Sequence, residues 1–132
     1  MKIAFLPKFV LNHLEPCLIQ SKIPQYLLVE ATGSLTTYWK GTALGFYGLQ
    51  CEKSGNKSAY PVWKGERNYI FRFKSGKWGI GPYLYNNLYL RLISWPASAN
   101  SPLDTNLVWR YYKSGWKYAE NFKITEYPDT GK

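Results

Sequence analysis

Few residues in this chain could do acid–base or nucleophilic chemistry, and their spacing works against it. His13 and Cys17 stand four apart, the interval that stacks two side chains on one helical face. A nucleophilic thiolate there would draw on the imidazole as its base. Pro16 falls between them and breaks the helix such a pair requires. Glycoside hydrolysis would need two of the eight Asp and Glu residues to face each other. Glu30, Glu52, Glu66 and Asp104 fall instead at expected turns and strand ends, where a solvated carboxylate is the default. Gly79-x-Gly81 runs into Pro82 with no helix to cradle a phosphate. No Cys-x-x-Cys or Cys/His ligand spacing exists, which all but excludes a zinc site. The expectation is a protein that is not an enzyme, with no cofactor and no metal.

Bases and rings are the residues in surplus. Seventeen Lys and Arg against eight acids give a net charge of +9 over 132 residues. From Lys53 to Lys123 there are twelve bases, opposed only by Glu66, Asp104 and Glu120, so this stretch alone carries the whole excess. Such a surface attracts phosphate, sulfate, sialic acid or anionic lipid, with strong salt dependence. The plainer reading is that lysines on exposed strand faces keep the chain soluble and block edge pairing. Six Trp are more than a small β core needs. Trp95, at a strand end before a polar loop, is the first expected at the surface, followed by Trp39 and Trp63. Trp78 and Trp109 are expected in the core. The candidate ligand-binding set is therefore Lys64, Arg67, Arg72, Arg91 and Arg110, with Trp63 and Trp95 as stacking groups; the alternative is that these rings simply pack under loops.

The elements that must hold these groups are short strands. Residues 1–25 carry Pro7, Pro16 and Pro24 and read as an irregular arm with at most a turn or two of helix. Its opening apolar run of four residues before Pro7 is too short for a secretory leader, and no stretch of the chain approaches the length of a membrane-spanning helix. From residue 26 to 127, short runs rich in Val, Ile, Tyr, Phe and Trp alternate with Gly- and Ser-containing turns, and 128–132 form a tail. Tyr69, Phe71 and Phe73 occupy one face of such a run, with Ile70, Arg72 and Lys74 on the other, the alternation of a half-buried strand. Seven or eight such strands predict a single antiparallel all-β domain, a sandwich or a small barrel. Cys17 and Cys51 either form one bridge, closing a loop worth about 3–4 kcal/mol, or remain two thiols in a reducing compartment.

One local pattern occurs twice. Phe71-Arg72-Phe73 leads into Lys74-Ser75-Gly76 and Trp78, and Trp109-Arg110-Tyr111 leads into Lys113-Ser114-Gly115 and Trp116. Both read as hairpins whose Ser-Gly supplies the turn. Either each donates its rings to one core, or Arg72 and Arg110 also line a shared basic surface.

The ordered set Ala31-Thr32-Gly33, Gly45-Phe46-Tyr47-Gly48-Leu49, Tyr60-Pro61-Val62-Trp63, Tyr69-Ile70-Phe71-Arg72-Phe73, Trp78-Gly79-Ile80-Gly81, Ser101-Pro102 and Gly115-Trp116 resembles a poorly characterised aromatic-rich β module that recurs in large proteins of marine invertebrates and protists. The resemblance covers about residues 26–127 and implies a non-catalytic, often extracellular module. Gly45-Phe46-Tyr47 stands where that pattern carries Asn-Gly, and Ser58-Ala59 where it carries Gly-Arg. The expected function is binding or scaffolding, with an anionic glycan (carbohydrate binding) or a protein surface as partner. Two alternatives are a single-stranded nucleic-acid-binding barrel that stacks bases on strand aromatics and a purely structural unit of a larger assembly.

Overall fold

The structure, a computed structural model, describes residues 23–50, 60–96 and 99–127. His13, Cys17, Cys51, most of the expected arm and the tail from 128 lie outside the described residues. Among the described residues, nine strands form one antiparallel sheet. They are β1 (Tyr26–Glu30), β2 (Gly45–Leu49), β3 (Trp63–Lys64), β4 (Tyr69–Arg72), β5 (Trp78–Gly81), β6 (Leu92–Trp95), β7 (Val108–Tyr112), β8 (Trp116–Tyr118) and β9 (Lys123–Tyr127). Strands β1 to β8 pair in chain order, and β9 returns to pair with β1. The all-β expectation holds. No helix among the described residues is long and apolar enough to cross a membrane.

The connection between β8 and β9 dictates the shape. These strands sit at opposite edges of the sheet, yet only residues 119–122 separate them. Laid flat, eight inter-strand gaps would put the edges about 38 Å apart. The link can span only about 18 Å even fully extended. The sheet must therefore curl, and its concave face becomes the core. Leu27, Val29, Tyr47, Leu49, Trp63, Ile70, Trp78, Ile80, Leu92, Trp109, Tyr111 and Ile124 all point into it. Two short 3-10 turns, Gly33–Thr36 and Tyr38–Gly41, close one end with Leu35 and Ala43, while Ala99 closes the other. We refer to these as the cap end and the far end.

Both ends are pinned by hydrogen bonds from core rings. At the far end, the Trp78 indole N–H and the Arg72 Nε each donate 2.9 Å to the Ala99 carbonyl, and Ser94 Oγ accepts from the Trp78 amide at 2.8 Å. At the cap end, the Tyr47 hydroxyl donates 2.7 Å to the Ala43 carbonyl and Asn68 Nδ2 donates 3.0 Å to Thr42. Burial pushes the Tyr47 hydroxyl well above the ordinary phenol range, against smaller opposing pulls from the Asn68 side chain and the Arg91 charge. A value raised on folding means the stabilisation is intact below the unfolded value, about 10, and is lost as pH climbs toward the folded one. Urea titrations of Tyr47→Phe should start lower by about 1 kcal/mol at neutral pH and then decline less steeply above about pH 10. Parallel alkaline slopes in the two proteins would mean that Tyr47 is not the group responsible.

Two side chains expected at the surface face inward. Trp63 is only 1% exposed. Its indole N–H donates 2.9 Å to the Pro24 carbonyl, and its ring lies 6.2 Å from that of Trp78. Strand β3 is two residues long, too short for alternation to reveal its faces, and pairing with Leu49 and Ile70 sets Trp63 inward. Arg72, opposite Trp78, also lies on the inner side and stacks 4.0 Å from the Tyr60 ring. Strand β4 is in fact covered on both faces. Its outward Phe71 is fully buried beneath the segment 82–91, packing on Phe73 at 4.9 Å and Tyr85 at 5.7 Å.

Candidate functional site on the convex face

The register explains why the two similar hairpins do different things. Arg110 pairs with Ile93, Ile93 with Gly79, and Gly79 with Phe71, so all four lie in one row on the convex face. Arg110 thus shares a face with Phe71 and the opposite face from Arg72. A one-residue offset exchanges the two faces of a strand. The repeated aromatic–Arg–aromatic motif is therefore inserted once with its rings inward, in β7, and once with its arginine inward, in β4. Arg72 and Arg110 do not line one surface.

On β6, β7 and β8 the convex side carries an alternation of rings and cations. Trp95 is 47% exposed and Trp116 56% exposed, and the Arg110 guanidinium stands between them, 5.1 Å from one ring centroid and 5.2 Å from the other. Lys77, placed by the strand register across from Trp95, sets its ammonium 3.8 Å from that ring. Tyr112 meets Trp116 edge-on at 5.5 Å. Cation–ring contacts of this kind contribute roughly 0.5–1 kcal/mol each at exposed sites, enough to fix the guanidinium direction without consuming its in-plane N–H groups. Arg110 Nε is buried with no hydrogen-bond partner. Among the described residues the one ion pair joins Lys123 to Glu30, so neither Arg110 nor Lys77 has a carboxylate to neutralise it.

A second cation–ring group sits at the cap end. The Arg91 guanidinium lies 3.8 Å from the Trp39 ring centroid and donates 2.8 Å to the Tyr89 carbonyl. Trp39 is 48% exposed, matching the expectation that it is one of the outward indoles. The Tyr38 hydroxyl donates 2.9 Å to the Tyr112 carbonyl and so ties this end to β7.

The other candidates fall elsewhere. Lys64 lies over the Tyr69 ring at 5.6 Å on the outer side of β3, and Arg67 is exposed in the turn that follows. Neither belongs to the Trp95–Arg110–Trp116 group. The groups that sequence reasoning missed there are Lys77, Tyr112 and Trp116. For Tyr112 and Trp116 the signal was the hairpin turn Lys113-Ser114-Gly115. With Ser114 and Gly115 at φ 55° and 122°, it sets Tyr112 opposite Trp116, and parity then puts Arg110, Tyr112, Trp116 and Tyr118 on one face.

The chain matches no protein-family model, no curated protein and no solved structure.

Proposed function

We propose that the protein is a non-catalytic binding module and that the convex face of β6–β8 recognises a sulfated glycan. The carrying observation is the Arg110 guanidinium held between Trp95 and Trp116 with no anionic partner among the described residues, beside Lys77. A polyanion gains both the charge and the orientation that this stacking has already set. Cations over the indole faces also favour a glycan above a nucleic acid. A base needs a free ring face on which to lie flat, and here Lys77 and Arg110 occupy positions over Trp95. Sulfate groups can meet the cations while sugar C–H edges touch the exposed ring rims. The resemblance to an aromatic-rich module supports the same non-catalytic class.

Heparin-agarose tests this reading. The wild-type protein should be retained, and Arg110→Ala should elute at clearly lower salt than Lys74→Ala, which removes the same charge from an exposed turn. Equal elution of the two variants would reduce the interaction to net charge. Equal displacement by a single-stranded oligonucleotide at the same salt would favour the nucleic-acid alternative.

A further inference from the structure

The exposed large apolar side chains among the described residues fall into two sets of five. One set, Trp95, Val108, Tyr112, Trp116 and Tyr118, lies on the β6–β8 face; the other, Trp39, Tyr83, Tyr85, Leu88 and Tyr89, lies in the 3-10 turn and the segment 82–91 at the cap end. Around Arg91 these rings adjoin one another. Trp39 lies 6.4 Å from Tyr89, and Tyr89 lies 6.4 Å from Tyr83. Both residues that contact the guanidinium, Trp39 (φ 50°) and Tyr89 (φ 57°), adopt the left-handed conformation, as do Lys40 and Tyr85. Bulky residues rarely take that conformation, and it persists only where its surroundings enforce it. Backbone strain is thus concentrated on the elements that aim the rings and hold Arg91.

Arg91 itself lacks a counter-ion among the described residues. Its Nε is buried without a partner, and among the described residues no carboxylate pairs with it. Burial lowers its pKa, against weaker support from Tyr38, Tyr47 and Tyr83. A partly desolvated guanidinium is an incomplete pair that an incoming carboxylate would complete. The balance here differs from the convex face, because the linked rings of Trp39, Tyr89 and Tyr83 gather about one ring-stacked cation, with exposed Tyr85 and Leu88 on the same segment as Tyr83 and Tyr89. A ligand that fits is mostly apolar with one or two acids. Trp, Tyr and Arg are also the residues that dominate protein-binding hot spots, and a surface of Tyr and Asn, as in Tyr83-Leu84-Tyr85-Asn86-Asn87, pairs rigid ring area with adaptable hydrogen bonding, a common way to contact a protein. A second copy of this chain would bring a further +9 of like charge.

From this geometry we infer that the cap-end patch centred on Trp39, Arg91 and Tyr89 is a docking surface for an acidic–apolar segment of another protein. One carboxylate seats on Arg91, and large apolar side chains cover the neighbouring rings. Exposed Lys40 adds positive charge beside Trp39 and favours the same partner.

Selection of random phage-displayed peptides against the intact protein tests this, with Trp39→Gly and Arg91→Lys as counter-targets. Selected peptides should combine Asp or Glu with large apolar residues and should lose about tenfold or more in affinity on either variant, the scale of one hot-spot contact. Trp39→Gly should keep or raise the thermal midpoint, because glycine accepts this φ without strain. Salt elution from heparin should stay unchanged in Trp39→Gly, so failure here and failure of the glycan reading are separable. The inference is overturned if no peptide is enriched, if the enriched peptides lack acids, or if both variants bind them as tightly as the wild type. It is also overturned if Trp39→Gly loses binding only together with its fold.

Discussion

Replacing Trp78 with alanine should cost about 3–5 kcal/mol of unfolding free energy, the range for deleting a fully buried indole. The side chain is 0% exposed and packs against Trp63 and Tyr60 at ring separations of 6.2 and 6.3 Å. Its indole N–H is one of two donors shared by the Ala99 carbonyl, which helps hold the far end closed. A small domain is stable by only about 5–15 kcal/mol in total, so the urea midpoint should fall sharply. Trp95→Ala, half-exposed on the same sheet, should change stability by about 1 kcal/mol or less. If the two substitutions cost the same, the inner and outer faces have been exchanged.

The largest effect on binding is expected when both flanking indoles are removed. Trp95→Ala with Trp116→Ala leaves Arg110 its charge but takes away the rings that orient it. If each indole contributes about 1–2 kcal/mol, as interface tryptophans commonly do, affinity for a heparin oligosaccharide should drop by about thirtyfold or more. Net charge is unchanged, so long-range attraction and its effect on association rate should persist. The loss should therefore appear mainly as faster dissociation. A double variant that binds as tightly as wild type would reduce the ring–cation array to ordinary surface packing.

The strand pattern was legible because each run of β-branched and aromatic residues is bounded by glycine, serine or proline. The run read over 69–74 became β4, Tyr69–Arg72. Trp95 and Trp39 outward, and Trp78 and Trp109 inward, were also readable. The face of Trp63 was not, because two residues of strand contain no alternation to count. Arg72 misled for a different reason. Alternation separates the two sides of β4 but cannot say which one meets the core, and the segment 82–91 buries the rings on the outer side as well. The partnership of Arg110 with Trp95 and Trp116 depends on register across three strands, which emerges only once the hairpin turn has fixed the offset.

Nuclear magnetic resonance of the six indole N–H groups, recorded while a size-defined heparin oligosaccharide is added, bears most directly on the convex-face site. The signals of Trp95 and Trp116 should move along a saturable course, while those of Trp63 and Trp78, enclosed in the core, hold their positions. Saturating binding that leaves the Trp95 and Trp116 signals in place would contradict it.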